Sequence, residues 1–137
     1  MTEPGRYEER HGRACEVFGR FVPGVEPARV FASMERRWGA LGTFAFDAVG
    51  DLWARPQLSR RDRSLLMLAI LAAQARDEEL ELHTQVGLHH GLARAEIDEI
   101  MVHLCLYAGF PKAVDGMRAV RAAFAKIDAR AAERGPR

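Results

Sequence analysis

Apolar residues recur at three- and four-residue intervals through most of the chain, and sustained alternation of β-branched and polar residues is nearly absent. That periodicity predicts an all-α protein of about six helices. A first helix is expected over residues 6–21, ending before Pro23-Gly24. Val30, Phe31, Met34, Trp38 and Leu41, then Phe44 or Ala45, Ala48 and Leu52, keep helical spacing and predict one helix from Pro27 to Trp53. Gly39 and Gly42 inside it are places for a bend or for the close approach of a neighbouring helix. Arg55-Pro56 ends it, because proline disfavours helix in the residue before it. Ser59 then reads as an N-cap, with Asp62 three residues on, for a helix reaching Ala75. After Ser64 this helix is almost wholly apolar, from Leu65 to Leu71. A helix apolar on all sides is buried on several of them, and in a chain this small that implies contact with other subunits. A further helix is expected from Asp77 to His90, with Gly91 as its C′ residue. Ile97, Ile100, Met101, Leu104, Cys105 and Ala108 mark one face of the next. Beyond Gly109 and Pro111, the stripe of Val114, Met117, Val120, Phe124 and Ile127, with Arg121 at its edge, marks the last.

Composition narrows the class without naming a function. A length of 137 residues suits a single domain with a real core, its ends at residues 1–5 and 133–137 expected to be loose. Hydrophobic residues make up 48%, which argues against disorder. Twenty basic and nineteen acidic side chains leave a formal charge of +1, so there is no broad electrostatic footprint for nucleic acid. No apolar run is long enough to span a bilayer, and the N-terminal residues carry no apolar signal segment, so a cytoplasmic protein is expected. Cys15 and Cys105 lie far apart and neither is in a CxxC, the pattern of inert small hydrophobes.

The residues with chemical potential cluster late in the chain. His83 has Glu79 four residues before it and His90 seven after it, with Gly87 between, so all of them share one helix stripe. A carboxylate one turn away can orient an imidazole and raise its pKa. Gly87 removes side-chain bulk where a ligand or a neighbouring helix can approach. The bland alternative is a surface Glu–His pair beside a packing glycine. Arg60, Arg61 and Arg63 open a helix, where cations oppose the macrodipole. Together they point to an anion from outside the helix, either a substrate carboxylate or an Asp or Glu elsewhere, with a solvated charged turn as the alternative. His83 and His90 are spaced poorly for a shared metal, since paired zinc ligands on one helix usually sit about four residues apart. No metal is expected.

The order Gly50-Asp51-Leu52-Trp53, then Ser59 to Leu66, then Leu82 to Ile97 with its mid-helix histidine and closing glycine, then Tyr107 to Ala113, resembles the γ-carboxymuconolactone decarboxylase family. Members of that family share the alkylhydroperoxidase-D-like all-helical fold. The resemblance runs from about Tyr7 to Ala125, and its weight lies in the order and spacing of modest motifs. His83 matches the recurrent helix histidine, and Arg63 matches a recurrent arginine. There are departures. Asp51 stands where relatives commonly have glutamate, and His89-His90 where they usually have Asn-Asn. The redox branch of the superfamily needs cysteines where this chain has Arg76 and Glu79, and the relay glutamate of the peroxidase branch falls near Ser64. Thiol–disulfide chemistry is therefore not expected.

The resemblance implies a decarboxylase of a small cyclic acid that needs no cofactor, acting on 4-carboxymuconolactone to give 3-oxoadipate enol-lactone and carbon dioxide. The implied catalytic set is His83, Asp51 and Glu79. Arg63, Trp53 and His90 are the implied substrate-binding set, although a tryptophan such as Trp53 is more often core than ligand wall. The implied partners are a small anionic substrate and further copies of the chain, as a trimer or hexamer. Two alternatives stay open: a biosynthetic relative acting on another ring substrate by cyclisation, isomerisation or decarboxylation, and a non-catalytic helical ligand-binding or oligomerisation module.

Overall fold

In the computed structural model, which describes residues 3–135, seven helices follow one another and no strand occurs among the described residues. They are α1 (Glu3–Gly19), α2 (Pro27–Trp38), α3 (Ala40–Trp53), α4 (Arg60–Ala73), α5 (Asp77–His89), α6 (Arg94–Tyr107) and α7 (Phe110–Arg134). The all-α reading is right, and the expected helix from Pro27 to Trp53 is two. Gly39 divides it with φ at +56°, a left-handed conformation that glycine enters without a Cβ clash. Residues 3–5 and 133–134, expected to be loose, are helical, while residues 1–2 and 136–137 lie outside the described residues. None of the described helices is long and apolar enough to cross a membrane.

The helices group into two compact units, residues 1–59 and 60–137. In the first, α1 and α2 both pack against α3. Phe46 is fully buried and stacks on Phe18 with ring centres 4.4 Å apart, and Phe21 meets Trp53 edge-on at 4.7 Å. Two glycines set the helix spacing. A Cβ on Gly50 would lie 2.8 Å from the Ala14 nitrogen and closer still to its Cα, so α1 and α3 touch backbone to backbone there. A Cβ on Gly42 would collide with the Met34 carbonyl of α2.

In the second unit, Leu68 and Ala72 of α4, Leu80 of α5, Ile97 and Met101 of α6, and Val120 and Phe124 of α7 form one continuous core. The expected C′ glycine of α5 is in place. Gly91 has φ +98°, its N–H donates to the Leu88 carbonyl, and the N–H of Leu92 donates back to the Gly87 carbonyl at 3.0 Å. This is a Schellman closure, and it folds buried Leu92 over Gly87. The end of α4 has the same hydrogen bonding, Ala75 to Ala72 and Arg76 to Leu71, but with an alanine at φ +55°. A side chain in that conformation costs about 1 kcal/mol. Ala75→Gly should therefore stabilise the protein by about 0.5 kcal/mol after the added freedom of the unfolded chain is counted. Thermal or urea unfolding of the two proteins reads the difference directly.

Candidate functional site

Helix α5 begins with Asp77, Glu78 and Glu79, acidic residues favoured at a helix N-terminus. It ends with His89 and, at the C-cap, His90. Its buried side, Leu80, Thr84 and Gly87, faces the core. His83 and His90 flank that side and are half-buried, whereas His89 is exposed.

Burial pushes the His83 pKa below its ordinary value of 6.5, and the nearby His90 adds to the lowering. Glu79 acts in the opposite direction, as its spacing predicts, but does not prevail. The net effect is a fall, because desolvation of a half-buried imidazole outweighs a carboxylate that faces water. Glu79 itself accepts a hydrogen bond from Arg76, which holds its carboxyl below the usual range, with His83 contributing weakly.

Gly87 is a packing glycine. A Cβ on it would lie 3.1 Å from a methyl of Leu92 and 3.2 Å from one of Leu68, with Ser64 just beyond. Its missing side chain lets α4 approach α5. At that approach the Ser64 hydroxyl, 2% exposed, sits 2.8 Å from Nδ1 of His90. This contact joins residues 26 apart in sequence, and nothing in the local pattern announces it.

The three arginines that open α4 separate in role. Arg61 pairs with Glu96 of α6, which also accepts the Ala93 N–H at 2.9 Å and so caps its own helix. The anion that the sequence predicts for this cluster is thereby identified, for Arg61, as a protein carboxylate. Arg63 is buried, at 9% exposure, next in sequence to Ser64. Arg60 is exposed.

Two further expected residues belong to the first unit. Asp51 accepts from Arg10 at 2.5 Å and from Arg13 at 3.2 Å. Desolvation pushes its pKa up, but the two guanidiniums prevail and hold it below the usual range. Trp53 is 7% exposed and fills core volume against Phe21. One turn before Asp51, buried Asp47 meets His11 Nδ1 at 3.2 Å, with the His11 ring between Tyr7, Phe31 and Phe46. This second pair was missed in the sequence. Its signal was there, in basic positions 10, 11 and 13 on one helix and acidic positions 47 and 51 on another. Burial and Asp47 both raise the Cys15 thiol, the opposite of what a thiolate nucleophile needs. Among the described residues, no group of three or more His, Cys, Asp or Glu side chains is placed to hold a metal ion.

A cavity of about 380 Å³ lies between α4 and α6, lined by Leu65, Ala69, Ile100 and Leu104 together with Glu96, Glu99 and His103. Neither His83 nor Arg63 lines it. The second unit thus holds a half-buried imidazole with lowered proton affinity at His83, a second imidazole, His90, against a buried serine, and, on the helix that carries that serine, the buried guanidinium of Arg63.

Residues 40–122, from the start of α3 into α7, match the carboxymuconolactone decarboxylase family. The chain is 41% identical over 64 residues to 4-carboxymuconolactone decarboxylase of Acinetobacter baylyi, covering 47% of this chain and 48% of that protein. It is 39% identical over 70 residues to nitrosuccinic acid decarboxylase of Metarhizium robertsii, covering 51% of this chain and 49% of that protein. The chain thus spans about half the length of each of these relatives. With the family matched over most of the chain, the protein belongs to the carboxymuconolactone decarboxylase family.

Proposed function

We propose that the protein is a decarboxylase of a small carboxylic acid that works without a cofactor, and that its substrate is 4-carboxymuconolactone, converted to 3-oxoadipate enol-lactone with release of carbon dioxide. The observation that carries this reading is the half-buried His83, whose proton affinity burial lowers, in a chain whose two named relatives are both decarboxylases. When the carbon–carboxylate bond breaks, its electron pair passes through the ring alkene to the lactone carbonyl, and a proton must reach ring carbon. An enzyme for this step holds the anion, steadies the developing enolate oxygen and supplies the proton. A neutral imidazole can donate a hydrogen bond to that oxygen. A bound anion also favours the imidazolium that delivers the proton. In this reading His83 takes both tasks, Arg63 binds a carboxylate, and Glu79 biases the charge of His83. Asp51 is held by Arg10 and Arg13, and Trp53 belongs to the core of its own unit.

The nitrosuccinic acid relative favours a wider second reading, in which the acid is not cyclic and another acceptor beside the carboxylate takes the electrons. The cavity that excludes His83 favours a third, a ligand-binding module without catalysis. One experiment separates the three. Carbon dioxide release is measured with 4-carboxymuconolactone and with nitrosuccinate, for the natural protein and Arg63→Ala. Turnover of the lactone with a raised KM and nearly unchanged kcat in Arg63→Ala is expected, because an arginine that holds a remote carboxylate throughout contributes uniform binding. Turnover of nitrosuccinate alone would move the assignment to the second reading, and release from neither acid would overturn the decarboxylase reading.

The working form is proposed to be a homo-oligomer, a trimer or hexamer. Leu66 and Ile70 on the apolar helix α4 are 47% and 51% exposed, and Leu106, Tyr107 and Phe110 still more. Side chains of this size clustered at a surface usually meet a partner. Sedimentation at micromolar concentration should show a species several times 15.3 kDa, and a clean monomer would refute it.

A further inference from the structure

We propose that Ser64 is a positioning residue of this site, whose hydroxyl holds the His90 imidazole in one orientation and, while the ring is neutral, in the tautomer protonated at Nε2. The inference rests on the reading of His83 and His90 as the working histidines, and its geometry stands apart from that reading.

The hydroxyl lies on the buried side of α4, 2% exposed, with its oxygen 2.8 Å from Nδ1. Among the described residues that nitrogen is its one hydrogen-bond partner. A buried O–H left without an acceptor is costly, so the hydroxyl must donate to Nδ1. A neutral imidazole that accepts at Nδ1 carries its proton on Nε2. If the ring takes a second proton, the hydroxyl turns and accepts from Nδ1–H, so one contact serves both charge states.

The backbone supports the same geometry. His90 is the C-cap of α5 and its N–H donates to the Val86 carbonyl at 2.9 Å. The Schellman closure at Gly91 then fixes the chain immediately after it. On the other side, Gly87 leaves α4 close enough for a side chain as short as serine to reach the ring. His83 lies two turns back on the same stripe, about 10 Å along the axis, and its charge state responds to His90.

The test is long-range proton–nitrogen NMR of the histidine side chains in the full chain, at a pH above their titration, for the natural protein, Ser64→Ala and Ser64→Thr. The expected result is a single Nε2-protonated tautomer for His90 in the natural protein, a mixture in Ser64→Ala, and restoration in Ser64→Thr. Turnover should fall about tenfold in Ser64→Ala with little change in KM, the scale on which a working histidine suffers when its orienting partner is lost. A natural protein protonated at Nδ1, or tautomer populations identical with and without the hydroxyl, would overturn the proposal. Should Ser64→Ala fail to fold, the tautomer of the natural protein alone still decides. If the tautomers behave as expected but no acid is decarboxylated, the positioning role holds and the decarboxylase reading is the part that fails.

Discussion

Replacing His83 by alanine is expected to lower kcat by a factor of about 10² to 10⁴ while the fold survives, the usual contribution of a positioned acid–base group. The ring is half-buried, so its loss leaves a small defect at the rim of the α5 core rather than a cavity within it. His83→Asn should retain part of the rate, because its amide can still donate to an enolate oxygen while delivering no proton to carbon. If both variants turn over at the natural rate on the true substrate, His83 is structural and the mechanism fails. The same residue leaves a thermodynamic trace. The folded chain binds this proton less readily than the unfolded chain, whose histidine keeps the ordinary value of 6.5. Above that pH His83 has no effect on stability. As pH falls through and below it, the unfolded chain takes up the proton first, and stability declines until the lowered folded value is passed. His83→Asn, which cannot titrate, should remove that part of the acid sensitivity. Urea titrations of both proteins at several pH values measure it.

The second large effect is structural, and two glycines predict opposite outcomes for the same substitution. Gly50→Ala should destabilise by about 3 kcal/mol, at or beyond the upper end of ordinary overpacking. The added methyl meets the Ala14 backbone of α1, and hydrogen-bonded helix backbone cannot step aside as a flexible side chain can. Gly87→Ala meets only the terminal methyls of Leu92 and Leu68, which can rotate by a few tenths of an ångström. Removing a glycine from a helix interior gains about 1 kcal/mol in propensity, so this variant should be nearly neutral. Denaturant midpoints for the pair decide the point. Equal losses would mean that α4 and α5 are as rigidly spaced as α1 and α3.

These contrasts also show where the sequence was legible. Helix positions were readable because most of the helices turn one face to a core, and burial writes a three-to-four-residue rhythm into the chain. The Gly91 closure was readable because glycine there has a single common reason. The break at Gly39 was not, since apolar residues keep their rhythm straight across it from Val30 to Leu52. The turn at Ala75 was not, because alanine carries no sign of a left-handed conformation. At the site, His83 and its stripe could be found from spacing within one helix. The partners that matter most to it come from other helices: Ser64 for His90, and Glu96 for Arg61. Such pairs are made by packing, and a one-dimensional pattern holds no record of them. The same is true of the sign of the His83 shift, which depends on how much water the fold removes rather than on which carboxylate is nearest.

The placement of the two tryptophans has a spectroscopic consequence. Trp38 and Trp53 both fall within residues 1–59, one half-exposed and the other packed in the Phe21 contact. Indole emission therefore originates in the unit of α1 to α3, and the unit that carries His83 has no indole of its own. Circular dichroism, to which all seven helices contribute, reports both. If the two signals share one melting curve, the chain unfolds in a single step. If emission changes first, the histidine unit keeps its fold after the other has lost it, and an unfolding temperature taken from fluorescence alone would describe the wrong half of the molecule.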